Sequence, residues 1–355
     1  MKEFLLDLTK KELAERMDKA FRAKQIFSAV YQQYVSDFSS ISTLSKKQRE
    51  ELNDAFNIHP TTILKKEVSV DGSEKYLFQL HDGHTVEAVL LKMREEETDE
   101  SGKTKRQAQY TVCLSSQVGC KVGCSFCLTA KGGFVRNLSA GEIVDQLLQI
   151  KIDHGFPMEK RLNIVYMGMG EPLDNLDNVA KAIEIFCDED GLAISPRRQT
   201  ISTSGISSKI KKLGDLDLDI QLAISLHAVD NDLREELIPM NKAYPIESII
   251  DAVKNFPMRH RRSILFEYLV IKDVNDDERS AKKLVKLLSG IKAKVNLIYF
   301  NPFEGIPYQR PSEKSMIAFQ DYLIKRGILA TIRQSKGLDI SAACGQLREK
   351  EQSLC

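Results

Sequence analysis

A chain of 355 residues is longer than one ordinary domain needs, so about two domains and a sizeable core are expected, and a disulfide-stapled miniature is excluded. Apolar residues at 42% and charged residues at 28% sit near the globular average and exclude wholesale disorder or a collagen-like repeat. The 51 Lys and Arg against 50 Asp and Glu leave a charge of +1, which advertises no polyanionic partner, and an odd count of 7 cysteines argues against a structural disulfide framework.

Residues 1–9 carry Lys2, Glu3 and Asp7 among their leucines and lack the unbroken apolar run of a secretory signal, so a cytoplasmic location is expected. No apolar run approaches the ~20 residues of a bilayer-spanning helix, and no membrane partner is expected. Residues 1–60 read as a helical accessory module: Thr9 can cap a segment with Leu13 on its apolar face, and Ile26, Val30 and Tyr34 recur at four-residue spacing. Residues 61–108 read as a short β extension and a charged loop. Tyr76, Phe78 and Leu80 alternate there, Asp71-Gly72 and Asp82-Gly83 signal turns, and Glu95 to Arg106 holds no large apolar residue.

From Gln109 onward strand-like runs alternate with amphipathic helical runs. Strands are predicted over 110–115, 163–167, 200–203, 221–226, 264–270 and 295–300. The alternation predicts an α/β catalytic domain over 109–348, built as an incomplete (β/α)6 TIM-like barrel with its ligands at the C-terminal ends of the strands, and a tail over 349–355.

The segment Cys120-Lys-Val-Gly-Cys124-Ser-Phe-Cys127 follows the first of these strands. Three thiolates on one tight loop can converge on a soft metal centre, whereas a closed structural zinc site needs four ligands. A four-iron cubane held by three cysteines would leave one iron open to a chelating ligand. A zinc loop with a remote fourth ligand, or three inert buried thiols, are the alternatives that spacing alone leaves open.

CxxxCxxC after the first strand of such a barrel resembles the radical S-adenosylmethionine (SAM) superfamily. Ser115-Ser116-Gln117-Val118-Gly119-Cys120, Met167-Gly168-Met169-Gly170-Glu171-Pro172, Ser202-Thr203-Ser204-Gly205, Ser225-Leu226-His227-Ala228, Asn301-Pro302-Phe303 and Ala343-Cys344-Gly345-Gln346-Leu347 are similar to the RlmN family within it. That family comprises dual-specificity adenine C2 methyltransferases of 23S rRNA and tRNA, acting in tRNA on the adenosine next to the anticodon. The resemblance implies a [4Fe-4S] cluster on Cys120, Cys124 and Cys127, and SAM held by Gly170, Glu171, Ser202, Ser225, Leu226, His227 and Asn301, with two SAM consumed per turnover. It further implies that Cys344 carries the methyl carbon as S-methylcysteine, that Cys113 removes a proton and closes a transient disulfide with Cys344, and that Glu87 is a proton acceptor.

Carbon 2 of adenine lies between two ring nitrogens and is too electron-poor to attack a sulfonium methyl, which is why a radical route is needed. The implied partners are 23S rRNA, tRNA and a flavodoxin or ferredoxin-like electron donor, acting on a monomer. The N-terminal module, and the basic groupings at Arg197-Arg198, Lys209 to Lys212 and Arg259 to Arg262, could contact phosphates. A C8 methyltransferase of the Cfr type, a non-enzymatic iron-sulfur RNA-binding redox sensor and a zinc-stabilised ribosome factor are the competing readings. Cys187 reads as core beside Ile183, and Cys355 as a terminal thiol without a task.

Overall fold

The computed structural model describes residues 2–99, 101–259 and 262–347, so Cys355 and the segment 349–355 lie outside the described residues. Ten strands form one sheet: β1 (Thr61–Val68), β2 (Glu74–Leu80), β3 (Thr85–Arg94), β4 (Gln109–Cys113), β5 (Leu162–Tyr166), β6 (Gln199–Thr203), β7 (Gln221–Ser225), β8 (Ile264–Val270), β9 (Ala293–Tyr299) and β10 (Leu329–Arg333). Spatial order follows chain order from β1 at one edge to β10 at the other. From β4 to β10 every pairing is parallel. Parallel neighbours require long crossovers. These contain α5 (Ala140–Asp153), α6 (Leu176–Cys187), α7 (Ser207–Asp215), α8 (Asn231–Leu237) with α9 (Ile246–Lys254), α10 (Glu278–Leu287) and α11 (Glu313–Ile324), while α4 (Leu128–Lys131) ends the cysteine loop.

The six strands expected from the pattern are present, with ends shifted by one or two residues. A seventh parallel strand, β10, was not expected: it is short, half-exposed and ends on Arg333, so it shows neither an apolar run nor clean alternation. The β extension is continuous with the barrel sheet. Strand β3 pairs antiparallel with β4, setting Val89 opposite Cys113. Within the charged loop, Glu97–Thr98 pairs with Thr104–Arg106.

The N-terminal module contains α1 (Lys10–Glu15), α2 (Phe21–Phe27) and α3 (Lys46–Ala55). Thr9 caps α1 in a reciprocal box with Glu12. The expected helix through Tyr34 stops earlier: α2 ends at Phe27, a π turn follows over Ser28–Gln32, and Tyr34 adopts a φ of 57°. The Tyr34 hydroxyl then donates to the Phe156 carbonyl at 3.1 Å. One continuous apolar core joins Leu5, Phe27 and Tyr31 of the module to Ile143 and Leu147 of α5 and to Ile164 and Phe266 of the sheet.

Polar ties fix the docking angle. Asp7 accepts the Gly141 N–H at 2.7 Å, Glu12 pairs with Lys181 at 2.8 Å, and Lys10 reaches Asp188 and Asp190, both at 2.8 Å. Deepest is Asp145 on α5, fully buried, which accepts from Thr61 N (3.0 Å) and Thr61 Oγ1 (2.8 Å) and faces His59 Nδ1 at 2.7 Å. Among the described residues no helix is long and apolar enough to cross a membrane.

Replacing Asp145 by Ala strands these buried donors. Asp145→Ala should cost roughly 3 kcal/mol, read as a lowered midpoint in urea unfolding.

Candidate functional site

The first parallel pairing does not stop where the regular strands stop. Beyond β4 and β5 the two backbones continue side by side: Gly168 N donates to Leu114 O (3.0 Å), and Ser116 N and Gln117 N both donate to Met169 O (2.9 and 3.2 Å). Ser115 Oγ accepts from Met169 N at 2.8 Å, and Gln117 Oε1 accepts from Glu171 N at 2.8 Å. Such proximity explains the two glycines. A Cβ on Gly168 would stand 2.7 Å from Leu114 O, and one on Gly170, whose φ is +102°, would stand 2.6 Å from Gln117 Cβ.

The cysteine loop springs from this floor. Cys120 N donates to Gly133 O at 2.7 Å, Ser125 N to Leu237 O at 3.0 Å and Cys127 N to Cys124 O at 3.2 Å, so the loop is tied to both flanks and to itself. Val122 joins a second apolar cluster with Leu237, Ile238, Leu269 and Phe300, against which Cys120, Cys124 and Phe126 pack. All three thiols line one cavity and none is in a disulfide. Burial pushes Cys120 up to about 12 and Cys124 well above its ordinary value. Thiols held protonated by burial become ligands when a metal cation takes the proton's place, so the donor set fits a thiolate-bound metal centre. Among the described residues no three His, Cys, Asp or Glu side chains are placed to hold a single ion.

Gly170, Glu171, Ser202, Ser225 and His227 line the same cavity. Glu171 is buried and accepts from Ser204 N (2.7 Å) and Leu173 N (3.1 Å). Burial raises its carboxyl above the ordinary value, opposed by the Ser204 contacts, and a cation arriving beside it would bring the value back down. Ser202 and Ser225 face one another at 3.2 Å between their hydroxyls. Leu226 is different: it is fully buried and absent from the cavity wall, with its backbone N and O engaged by Glu267 O and Arg234 Nε.

His227 stands in the left-handed region at φ 59°, a strained conformation for a non-glycine residue. Asn275, fully buried, holds it there by donating to His227 O at 2.7 Å and Leu269 O at 2.8 Å. The ring accepts Leu269 N at Nδ1 (3.0 Å), and burial, helped by the Arg234 charge, pushes the imidazole down to about 3.

A second cavity adjoins the first and shares Cys127, Thr129, Met167, Gly168, Ile298, Arg333, Cys344 and Gly345 with it. Cys113, Asn301, Leu91 and Met93 line only this second space. Cys344 is exposed to the cavities yet walled in by protein, and burial raises its thiol, opposed by Arg333. The Cys113 thiol is pushed up to about 12, first by burial and then by the neighbouring Cys344. Asn301 accepts from Arg310 (2.7 Å) and Ser335 (2.8 Å). Glu87 lines neither cavity: it shares the β3 face of Leu91 and Met93 but lies four residues before Leu91, 3.3 Å from Lys75 Nζ.

Two charged residues of the first cavity and one behind its wall were not singled out from sequence. Glu267, 2% exposed, lines the first cavity with Oε2 lacking any partner, and its other oxygen accepts from Asn296 at 3.0 Å. A lone carboxylate inside the apolar run 264–270 was the available signal. Arg333 lies 3.7 Å from Glu267; burial would lower its value, but Glu267, Cys344 and Cys113 together hold it above the ordinary one. Behind the wall, buried Arg234 binds the Leu226 and Ser225 carbonyls and Asn241, and no sequence signal distinguishes it from a surface helix arginine.

Lys209 to Lys212 lie on α7 after β6, and the two arginine groupings fall elsewhere. Arg197 and Arg198 precede β6 and Arg262 precedes β8, at the strand ends opposite the cavities, where Arg197, Arg259 and Arg262 surround Asp219 at 3.6, 3.3 and 3.1 Å. Cys187, half-buried at the end of α6, accepts from Gln199 Nε2 at 3.3 Å.

Residues 114–285 match the radical SAM superfamily, and residues 4–58 match the ribosomal RNA large subunit methyltransferase N-terminal domain. A Nitratiruptor protein named dual-specificity RNA methyltransferase RlmN is 64% identical over 346 residues, 98% of each chain. A protein of the same name from Wolinella succinogenes is 62% identical over 98% of this chain and 96% of its own. The crystal structure of a radical SAM methyltransferase from Sphaerobacter thermophilus superposes with a TM-score of 0.88 at 39% identity, covering 98% of this chain and 99% of that one.

The depressed His227 value makes a pH prediction. Its folded value, about 3, lies below the ordinary 6.5, so its neutral form supports the fold above about pH 6.5 and that support is lost as pH falls toward 3. Between about pH 7 and pH 4 the loss should be roughly 3 kcal/mol. In His227→Asn, which tolerates positive φ, the urea midpoint should fall with acid by that much less than in the wild type.

Proposed function

Because the chain belongs to the RlmN family of dual-specificity RNA methyltransferases, we propose that it methylates carbon 2 of adenosine in 23S rRNA and of the adenosine next to the anticodon in tRNA, with Cys344 carrying the transferred carbon. It is a radical SAM enzyme that uses a [4Fe-4S] cluster and SAM. The observation that carries the finer reading is the position of Cys344 on the shared wall of two cavities, with the three cysteines of the loop in one and Cys113 in the other.

Cys120, Cys124 and Cys127 would hold the cluster. When bound, it supplies the electron that cleaves SAM, two molecules of which provide the methyl group and the means to remove a hydrogen atom from it. Gly170 leaves room for close approach, Glu171 accepts the SAM ammonium, and Ser202, Ser225 and His227 complete the contacts from the same cavity, with Asn301 reaching in from the adjoining one; Leu226, buried off the wall with its backbone already bonded, supports its neighbours rather than the ligand. Neutral His227, bonded at Nδ1, presents an N–H donor at Nε2.

The Cys344 thiol gives its proton to solvent and its sulfur attacks the methyl carbon of the SAM sulfonium; the old carbon–sulfur pair leaves with S-adenosylhomocysteine, and Cys344 becomes a thioether. That S-methyl loses a hydrogen atom, and its carbon joins carbon 2 of the base, so RNA and protein are covalently linked. The radical adduct passes one electron to the oxidised form of the flavodoxin or ferredoxin-like carrier, and Cys113 removes the carbon 2 proton; the Cys113 sulfur then attacks the Cys344 sulfur. The carbon–sulfur bonding pair leaves with the carbon, which is protonated to a methyl group, and a Cys113–Cys344 disulfide remains. Two electrons from cytosolic thiols reset it. Glu87 is proposed as a further proton acceptor on the β3 face that leads to this cavity. The base must be splayed from its stack to reach Cys344, and a flavodoxin or ferredoxin-like donor in the cytoplasm is proposed as electron source for a monomer.

The test uses anaerobically reconstituted protein with SAM, reductant and unmodified 23S rRNA or tRNA, followed by nucleoside mass spectrometry. The expected product is 2-methyladenosine. Cys344→Ala should abolish it, and Cys113→Ala should accumulate RNA covalently bound to protein. Appearance of 8-methyladenosine, or of no methylated base with the wild type, would overturn the reading.

A further inference from the structure

Cys344 lies in a stretch, residues 334–347, that follows β10 with no helix or strand of its own. An irregular segment gains its order only from ties that outweigh its conformational entropy, and a reacting side chain has to be held within about 0.5 Å. Where its backbone and polar groups are bonded therefore decides where Cys344 sits. The C-terminal end is tied to the cysteine loop: Leu128 N donates to Gly345 O at 2.7 Å, and Thr129 Oγ1 to Leu347 O at 2.6 Å.

The other end is tied to the β1–β2 turn. Gly337 N donates to Asp71 Oδ2 at 2.9 Å, while Asp339 accepts from Ser69 Oγ at 2.5 Å and from Val70 N at 3.1 Å. Each side contributes one carboxylate and receives N–H or O–H donors from the other. The turn is itself preorganised, since Asp71 Oδ1 accepts from Ser73 N (2.9 Å) and Ser69 N donates to Ser73 O (2.8 Å). On the Cys344 side, Ala342 N closes onto Gly337 O at 2.8 Å, which passes the anchor directly to the residues preceding Cys344.

Topology gives this contact its weight. Strands β1 and β10 are the two opposite edges of the ten-stranded sheet, so a bridge from the β1–β2 turn to the segment after β10 joins the open edges of an incomplete barrel. The cavity enclosed beneath it is lined by Leu91 and Met93 from the extension and by Ala342, Ala343 and Cys344 from the segment.

We propose that Asp71 and Asp339 form a reciprocal clasp that closes the barrel and positions Cys344, which makes the β extension the anchor of the methyl-carrying segment; the catalytic half of this rests on the role proposed for Cys344. Asp71 and Asp339 are positioning residues. Both carboxyls lie below the ordinary aspartate value: at Asp339 the Ser69 hydroxyl is the main cause, and at Asp71 burial opposes the shift but the Gly337 and Ser73 contacts prevail. Both are thus ionised acceptors at neutral pH.

The experiment compares cluster-reconstituted wild type with Asp71→Ala, Asp339→Ala and the double variant, by hydrogen exchange and by product ratio. Removing Asp71 should speed amide exchange in 334–342, and removing Asp339 should speed it in 69–73, each across the gap from the substitution. Iron content should hold, while 5'-deoxyadenosine released per methylated adenosine rises about tenfold in the double variant, because a displacement of about 1 Å uncouples hydrogen abstraction from transfer. Asp71→Asn, which keeps a carbonyl oxygen toward Gly337, should restore the wild-type ratio.

Unchanged exchange across the gap would overturn the clasp. Faster exchange with an unchanged ratio would overturn its role in positioning. Should the double variant fail to fold, Asp71→Ala alone leaves both Asp339 bonds in place and carries both readouts. If the wild type makes no 2-methyladenosine, the proposed function fails, while the exchange arm still reports on the clasp.

Discussion

The contact between the backbones of 114–117 and 168–171 is the constraint on which the site depends. By extending the β4–β5 pairing past the regular strands, it brings the start of the cysteine loop and Glu171 to the same floor, separated by no side chain at Gly168 or Gly170. Gln117 spans the junction. Its carbonyl oxygen orients Glu171 N, and its amide nitrogen reaches Asn137 at 2.8 Å and Asp174 at 3.2 Å. Ser116 O and Leu138 O both accept from Asn175 Nδ2 at 2.8 Å, so the far flank of the loop is locked to the same point. The loop itself contributes the Cys127–Cys124 backbone bond, and its order rests mainly on these bonds to its flanks.

Burial then sets the chemistry. Cys113, Cys124 and Glu171 are held toward their neutral forms, and the cations that offset burial at the two thiols are buried Arg234 behind the first cavity and half-buried Arg333 between the two. Arg333 faces Cys113 and Cys344 with Glu267 beside it. Without that carboxylate the half-buried guanidinium would lack its nearest compensating charge. With it, the positive field reaches both thiols, and the partnerless Glu267 oxygen still faces the first cavity. A neutral His227 on the same wall keeps a hydrogen-bond donor there without adding a second cation.

What the sequence revealed and what it hid follow one physical division. Strands buried on both faces announce themselves as apolar runs, so β4 to β9 were legible, and so was the place of the cysteine loop after the first of them. Strand β10 lies at an edge and is half-exposed, so its pattern carried no signal, and Arg333 was missed with it. The π turn after Phe27 broke a spacing that looked helical, because tertiary contact at Phe156 decided the backbone of Tyr34. Leu226 and Asn301 illustrate a further limit. Motif positions identify a neighbourhood, but which residue points into which cavity depends on the register of two strands, and one of these two side chains faces the core and the other the second cavity.

The near-neutral charge is likewise an average over compensated pieces. Lys10 and Lys24 are matched by Asp188 and Asp190, and Arg197, Arg259 and Arg262 are gathered around Asp219 at the strand ends opposite the site. The arginine groupings that looked suited to phosphate in the sequence are therefore partly spent on internal pairs at the far strand ends, while Lys209 to Lys212 lie on α7, which follows β6. Beside the cavities the situation differs: Lys336 lines the second, and exposed Lys131 lies 4.8 Å from the Phe303 ring centroid, two residues beyond Asn301 in the chain. Counterion release depends on cations that a phosphate can reach, not on the formal sum. A chain at +1 can thus still present positive charge beside the cavities, which is why the sum excluded nothing about RNA.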